Sequence, residues 1–148
     1  MMLQQLIPLP LQEVKVWDMG CGTGILAIMG ALRGAHDITA IDIDPWCVEN
    51  ATENVQQNNC DFITVKQGEV SAIAGEKYNL ILANINRNIL LSDIPAYAQS
   101  LLPLGVLLVS GFYLEDLPAI QECSQAAGLH YISHIERNNW VSAKFQRI

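Results

Sequence analysis

Basic charge is scarce in this chain of 148 residues: only 8 are Lys or Arg against 15 Asp or Glu, a net charge of −7. A duplex binder shows a clustered basic face, so nucleic acid is not expected as a direct partner. The acidic balance does suit a basic protein, through long-range attraction. Cysteines number 4, at Cys21, Cys47, Cys60 and Cys123, without a C-x-x-C pair among them. That pattern supports neither a zinc site nor a disulfide framework, and no metal is expected. Reduced thiols in a cytoplasmic setting are the plain reading. The longest apolar stretches, near Ile25 to Leu32 and Val106 to Val109, are far below bilayer length, and no membrane association is expected. The chain does not open on a basic-then-apolar leader, and no signal peptide is read. Repeats, low-complexity segments and interdomain linkers are missing as well. What the chain has in quantity is apolar residues, 51% of the total, enough for one folded domain with a substantial core.

One stretch stands out against that background. Asp18-Met19-Gly20-Cys21-Gly22-Thr23-Gly24 follows the apolar run Val14 to Trp17 and precedes a helical pattern from Ile25 to Leu32. A strand emptying into alternating glycines and then a helix brings main chain close to a ligand, because glycine lacks Cβ and accepts positive φ. The helix start presents N–H groups that suit an anion. At the end of the next apolar run stands Ile41-Asp42-Ile43-Asp44-Pro45, where Asp42 is placed to accept from a ribose diol. These features describe a site for a nucleoside-containing cofactor.

Glycine spacing chooses among such cofactors. The dinucleotide fingerprint G-x-G-x-x-G/A needs a third small residue for close packing around a pyrophosphate. Here Gly20, Gly22 and Gly24 read G-x-G-x-G, and bulky Ile25 stands where that third residue falls. Asp18 would repel phosphates and suits a cationic amino group. An amino acid joined to a nucleoside without phosphate is S-adenosylmethionine.

The rest of the chain alternates. Strand-like runs are expected at Lys15–Met19, Ile38–Asp42, Phe62–Lys66, Tyr78–Asn84 and Val106–Ser110. Helices are expected at Ile25–Leu32, from Pro45 (with Asp44 as N-cap) to Asn58, at Ile89–Leu101 and at Glu115–Ala127, the last closed by Gly128. Pro95 predicts either a first-turn position or a break between two shorter helices. Strands buried on both faces and separated by helices make an α/β, doubly wound, mostly parallel sheet. Leu129–Ile135 and Val141–Phe145 are separated only by Glu136 to Asn139, too short for a crossover, so they form an antiparallel hairpin. A parallel sheet ending in such a hairpin is the seven-stranded, Rossmann-like architecture of class I methyltransferases.

Asn84, in Ala83-Asn84-Ile85-Asn86 at the fourth strand end, is the candidate catalytic residue and also a cofactor contact. Its amide can accept from an incoming amine while its NH₂ is held elsewhere. The alternative is a strand-end turn former. Nothing resembles the Pro-Pro-aromatic that stacks on a nucleic-acid base. Glu69 is placed either at the adenine edge or as an ordinary solvated carboxylate. His130 and His134 share one face of a strand and read as structural. Trp140 reads as core or rim packing, or as a wall of a substrate cleft.

Asp18 through Ile28, Ile41 through Pro45, Ala83-Asn84-Ile85 and Asn139-Trp140-Val141 resemble the bacterial methyltransferases of ribosomal large-subunit protein eleven, across nearly the whole chain. The resemblance implies cofactor contacts at Gly20, Asp42 and Asn84. It also implies trimethylation of lysine ε-amines and of the N-terminal α-amine of a ribosomal protein. The chain is expected to act as a monomer. Family members carry a substrate-gripping N-terminal domain, and a Phe-Gly-Thr-Gly-His-His segment before the helix that corresponds to Met1 to Ile7. Neither is in this sequence, so residues 1–148 are expected to be the methyltransferase domain alone, the natural polypeptide being longer. Leu102-Pro103-Leu104-Gly105 stands where the family has a Pro-Gly-Gly turn. Competing readings are a cofactor-binding fragment without turnover, a methyltransferase for another amine, and an NAD-dependent domain, the last opposed by Ile25 and the hairpin.

Overall fold

Successive residues of the central strands are buried on opposite faces, which forces helices onto both sides of the sheet. In β4 (Tyr78–Asn84), Leu80 and Leu82 join the core under one set of helices while Ile81 and Ala83 join the other. The structure, a computed structural model, describes residues 1–148. Its strands are β1 (Lys15–Met19), β2 (Asp37–Asp42), β3 (Thr64–Gln67), β4, β5 (Leu101–Tyr113), β6 (Leu129–Arg137) and β7 (Trp140–Arg147). They lie in the order β3-β2-β1-β4-β5-β7-β6. The first five are parallel, and β7 is antiparallel to both β5 and β6. Helices α1 (Met2–Leu6), α2 (Ile25–Leu32) and α3 (Pro45–Gln57) cover one face. Helices α4 (Arg87–Gln99) and α5 (Leu117–Ala126) cover the other.

Most expected elements are present, and the departures have local causes. β3 begins at Thr64 rather than Phe62, whose ring lies against His36 with centroids 5.7 Å apart. α4 starts two residues early, at Arg87, because the Asn86 side chain caps it by accepting from Ile89 N–H at 3.1 Å. Pro95 neither opens nor breaks α4; it sits inside one continuous helix. Proline there deprives the Leu91 carbonyl of its helical donor. The Cys123 thiol of α5 donates to that carbonyl instead, at 3.5 Å. The helix expected at Glu115–Ala127 is a 3-10 turn, Leu114–Asp116, leading into α5, which begins at Leu117 with Pro118 in its first turn.

The hairpin turns through Asn138 and Asn139, both at positive φ (51° and 71°), the twist-matched geometry of a tight hairpin. A register shift in β6 falls between Tyr131 and Ser133. His130 therefore lies opposite Gln146 and His134 opposite Ala143, an odd offset that puts the two histidines on opposite faces, not one. His134 Nδ1 lies 2.5 Å from the Tyr131 hydroxyl.

β5 is longer than expected because pairing resumes ahead of Val106, at Leu101 opposite Tyr78, with a register shift between Tyr78 and Leu80. Leu104, in this irregular stretch, has φ +66° with a largely exposed side chain. A leucine in left-handed conformation costs about 1–2 kcal/mol, of which glycine gives back up to about 1 in the unfolded chain. Leu104→Gly is expected to raise stability by about 0.5–1 kcal/mol, read as a higher urea midpoint at unchanged slope. A lower midpoint contradicts the strain assignment.

Candidate functional site

The strand order reverses between β1 and β4, and the crevice beyond their carboxyl ends is where doubly wound sheets bind ligands. A cavity of about 510 Å³ opens there, within the range of small-molecule sites. Met19, Gly20, Asp42, Ile43, Glu69, Val70, Asn84 and Ile85 come from the strand ends, and Asn88, Ile89, Ser92 and Asp93 from α4.

The loop after β1 is fixed mainly by its own backbone. Gly20 and Cys21 N–H both donate to the Ile41 carbonyl at 2.9 Å, and Gly24 N–H donates to Cys21 at 2.8 Å. Gly20 sits at φ +70°, and a Cβ there would lie 2.5 Å from Ile85 Cγ2 and 3.3 Å from the Asn84 carbonyl oxygen. The β1 loop therefore packs directly on the β4 end, with no room for a side chain between them. Across the same strand ends, Gly111 (φ +100°) would place a Cβ 2.5 Å from the Ile85 carbonyl oxygen. Gly22 and Gly24 do not line the cavity: Gly24 N-caps α2, and Gly22 reaches the site through Asp42.

Asp42 is the clasp of this loop. Its Oδ2 accepts from Gly22 N–H and its Oδ1 from Asp44 N–H, both at 3.0 Å. A carboxylate has about four lone-pair directions, so it keeps capacity for a ligand's hydroxyls. Asp42→Ala is expected to weaken nucleoside-ligand binding by about 1.5–3 kcal/mol, the scale of hydrogen bonds to a charged acceptor. The loop bond from Gly22 is lost too, so a thermal melt of the free variant should fall. Unchanged affinity by titration calorimetry in a folded variant removes Asp42 from the site.

Asp18 takes a position the sequence did not indicate. It alternates onto the α2 face, is fully buried, and does not line the cavity. Neither carboxyl oxygen has a partner within hydrogen-bond geometry. Burial pushes its pKa up to about 7, the Ala27 N–H in the first turn of α2 opposing the shift and the Asp42 charge adding to it. The helix start thus faces the protein's own carboxyl. Burial, with the neighbouring Asp18 and Asp42, pushes the Cys21 thiol up to about 12, which removes it as a nucleophile.

Asn84 ends β4 opposite Ser110, exposed in the cavity wall, with its side-chain amide free of partners in the chain. The expected neighbour holding its NH₂ is not there. Glu69 lines the cavity beside the 3-10 turn Val70–Ile73. None of His36, His130 and His134 lines it. Trp140 is on the surface, packed at a tilt against Tyr113 with centroids 4.2 Å apart, in a neighbouring depression with Arg87 and Asp116, which pair at 3.3 Å.

Asp93 escaped the sequence reading. It is 9% exposed, its Oδ2 accepts from the Tyr97 hydroxyl at 3.4 Å, and it faces the cavity from α4. Burial raises its pKa, the Tyr97 bond opposes this, and the Glu69 charge adds to it. The available signal was an acid on the same helical stripe as Ile89 and Tyr97.

The cavity wall therefore holds three carboxylates, Asp42, Glu69 and Asp93, and no Lys or Arg. Such a wall repels a pyrophosphate and accommodates a cationic nucleoside without phosphate.

Sheet order, terminal hairpin and crevice are those of the class I methyltransferase fold. The chain belongs to the family described as ribosomal protein L11 methyltransferase (PrmA), whose family model matches residues 1–148. It is 45% identical over 144 residues to the ribosomal protein L11 methyltransferase of Phocaeicola vulgatus, covering 97% of this chain and 51% of that protein. The chain thus spans about half the length of the curated relatives it matches. It is similar to the crystal structure of ribosomal protein L11 methylase from Lactobacillus delbrueckii subsp. bulgaricus, with a TM-score of 0.88 and 29% identity over 97% of this chain and 78% of that one. In fold alone it matches N-methyltransferase NodS from Bradyrhizobium japonicum, solved with S-adenosyl-L-homocysteine, with a TM-score of 0.76 and 16% identity over 97% of this chain and 84% of that one.

Proposed function

We propose that this chain is the methyltransferase domain of an enzyme that uses S-adenosylmethionine to methylate lysine ε-amines, the N-terminal α-amine, or both, on ribosomal protein L11. The observation that carries the cofactor assignment is the cavity wall, with three carboxylates and no basic side chain at the β1–β4 crevice. When bound, S-adenosylmethionine supplies an electrophilic methyl group on a sulfonium. Asp42 holds the ribose diol, Gly20 gives the ligand a main-chain floor, and Glu69 faces the base edge. Gly22 and Gly24 hold the loop in shape. Asp18 lies beneath it, and a cation bound above would favour its ionised form.

Asn84 is the residue at the acceptor. Its carboxamide oxygen accepts one N–H of the incoming amine and fixes the direction of the nitrogen lone pair. Aligning the reacting groups is most of what the protein must supply for an in-line displacement. Family membership supports L11 as the substrate. We assign the grip on that protein to the half of the relatives' length this chain does not span, and the transfer to a monomer in the cytoplasm. No helix is long and apolar enough to cross a membrane. The test is transfer of radiolabelled methyl from S-adenosylmethionine to purified L11, with the chain alone and joined to any upstream coding segment. Label on L11 amines is the expected result. Label on neither preparation's L11 defeats the substrate assignment.

A further inference from the structure

The proposed reading gives Asp93 no task, yet it is a nine-tenths-buried carboxyl facing the cavity. Buried carboxyls are held by donors, and this one has only the Tyr97 hydroxyl on Oδ2, at a long 3.4 Å. Oδ1 has no donor within the chain. Glu69, another carboxylate lining the same cavity, adds its charge to the upward shift of Asp93, and no basic side chain lines the wall. Two acceptors on one cavity wall without a protein donor call for a ligand that brings N–H groups to them.

The strand ends say which part of the ligand arrives there. Along the carboxyl edge β4-β1-β2-β3, Asn84 marks the reacting end, Gly20 the amino-acid portion and Asp42 the ribose. The base then reaches the end of β3, where Glu69 stands and where α4 packs on the 3-10 turn Val70–Ile73. We infer that Asp93 and Glu69 together read the exocyclic amine of the purine, making Asp93 a specificity residue for a 6-amino over a 6-oxo base. An exocyclic amine offers two N–H donors, one for each carboxyl. A 6-oxo purine keeps one donor at this edge, N1–H, but turns an acceptor toward the carboxyls where the amine stood, so it loses at least one of the two bonds and sets an oxygen against the buried Asp93.

This inference rests on the S-adenosylmethionine assignment, and the experiment separates the two. Titration calorimetry on the chain uses S-adenosylhomocysteine and its deaminated, inosine-containing analogue. The wild-type chain is expected to prefer the adenosine form by about tenfold or more, the scale of a lost buried hydrogen bond. Asp93→Asn adds a donor that the oxo group accepts, so the preference should narrow at least about fivefold. Asp93→Leu, which fills the space without a polar atom, should weaken the adenosine form alone and also narrow the ratio. Circular dichroism melts confirm folding, and the wild-type comparison stands even if both variants unfold. Equal affinity of the wild-type chain for the two ligands, or an unchanged ratio in both folded variants, overturns the role of Asp93 while leaving the cofactor assignment intact. Failure to bind either ligand overturns the cofactor assignment, and this inference with it.

Discussion

Gly20→Val should lose S-adenosylhomocysteine binding by more than about a hundredfold while remaining folded. The residue sits at φ +70°, where a β-branched side chain is strained before it meets a neighbour. Its Cβ would then lie 2.5 Å from Ile85 Cγ2 and 3.3 Å from the Asn84 carbonyl oxygen. Backbone strain of about 1–2 kcal/mol and overpacking of about 1–3 kcal/mol give a stability loss of about 2–5 kcal/mol. A domain of this size has a reserve of roughly 7–20 kcal/mol, so the fold survives. Binding does not, because the valine branches take ligand space and the push on Ile85 shifts the β4 end carrying Asn84. Gly20→Ala should show an intermediate loss, having the same φ and first contact but no branches. Titration calorimetry with a thermal melt as control decides the point. Affinity within about threefold of wild type in the valine variant would mean that the loop is not the ligand's floor.

Asn84→Ala should cut methyl transfer by about a hundredfold while weakening cofactor binding by no more than about tenfold. The larger effect falls on kcat because the side chain aligns the acceptor, and misplacement of about 1 Å is enough for such a loss. A lysine amine has a pKa of about 10.4 in water and is mostly protonated, hence unreactive, at neutral pH. The rate should therefore rise toward alkaline pH in wild type and variant alike. At alkaline pH the rise follows ionisation of the substrate, because no histidine lines the cavity, Asn84 does not titrate, and Asp18, with its pKa of about 7, is already deprotonated there. His36→Ala, His130→Ala and His134→Ala should each keep the rising limb. A single-turnover pH series on the enzyme carrying any upstream segment is the measurement. Loss of the rising limb in one histidine variant would reveal a general base, and equal losses in kcat and cofactor affinity for Asn84→Ala would reduce Asn84 to a cofactor contact.

Much of this site was legible in the sequence because its chemistry is local. A glycine loop after an apolar strand, an acid ending the next strand and a hairpin-length gap near the end are written within a few residues each. They correspond to the Gly20 loop, Asp42 and the β6–β7 turn. What stayed hidden depends on contacts between distant segments. Pro95 inside α4 is tolerated because the Cys123 thiol, from another helix, reaches the carbonyl that proline leaves bare. Asp18 reads as a ligand contact from its motif, yet strand alternation turns it under α2 and out of the cavity wall. The separation of His130 from His134 follows from one register shift that no periodicity announces. Asp93 enters the site because α4 packs beside the strand ends, a contact between distant segments.

A crevice lined by three carboxylates and no basic side chain should hold a cationic, phosphate-free nucleoside ligand rather than a dinucleotide. Titration calorimetry of the wild-type chain with S-adenosylmethionine and, separately, with NAD decides between them. Saturable binding of S-adenosylmethionine, lost in Gly20→Val and weakened in Asp42→Ala, with no heat from NAD, is the predicted result. Binding of NAD with no binding of S-adenosylmethionine would contradict it.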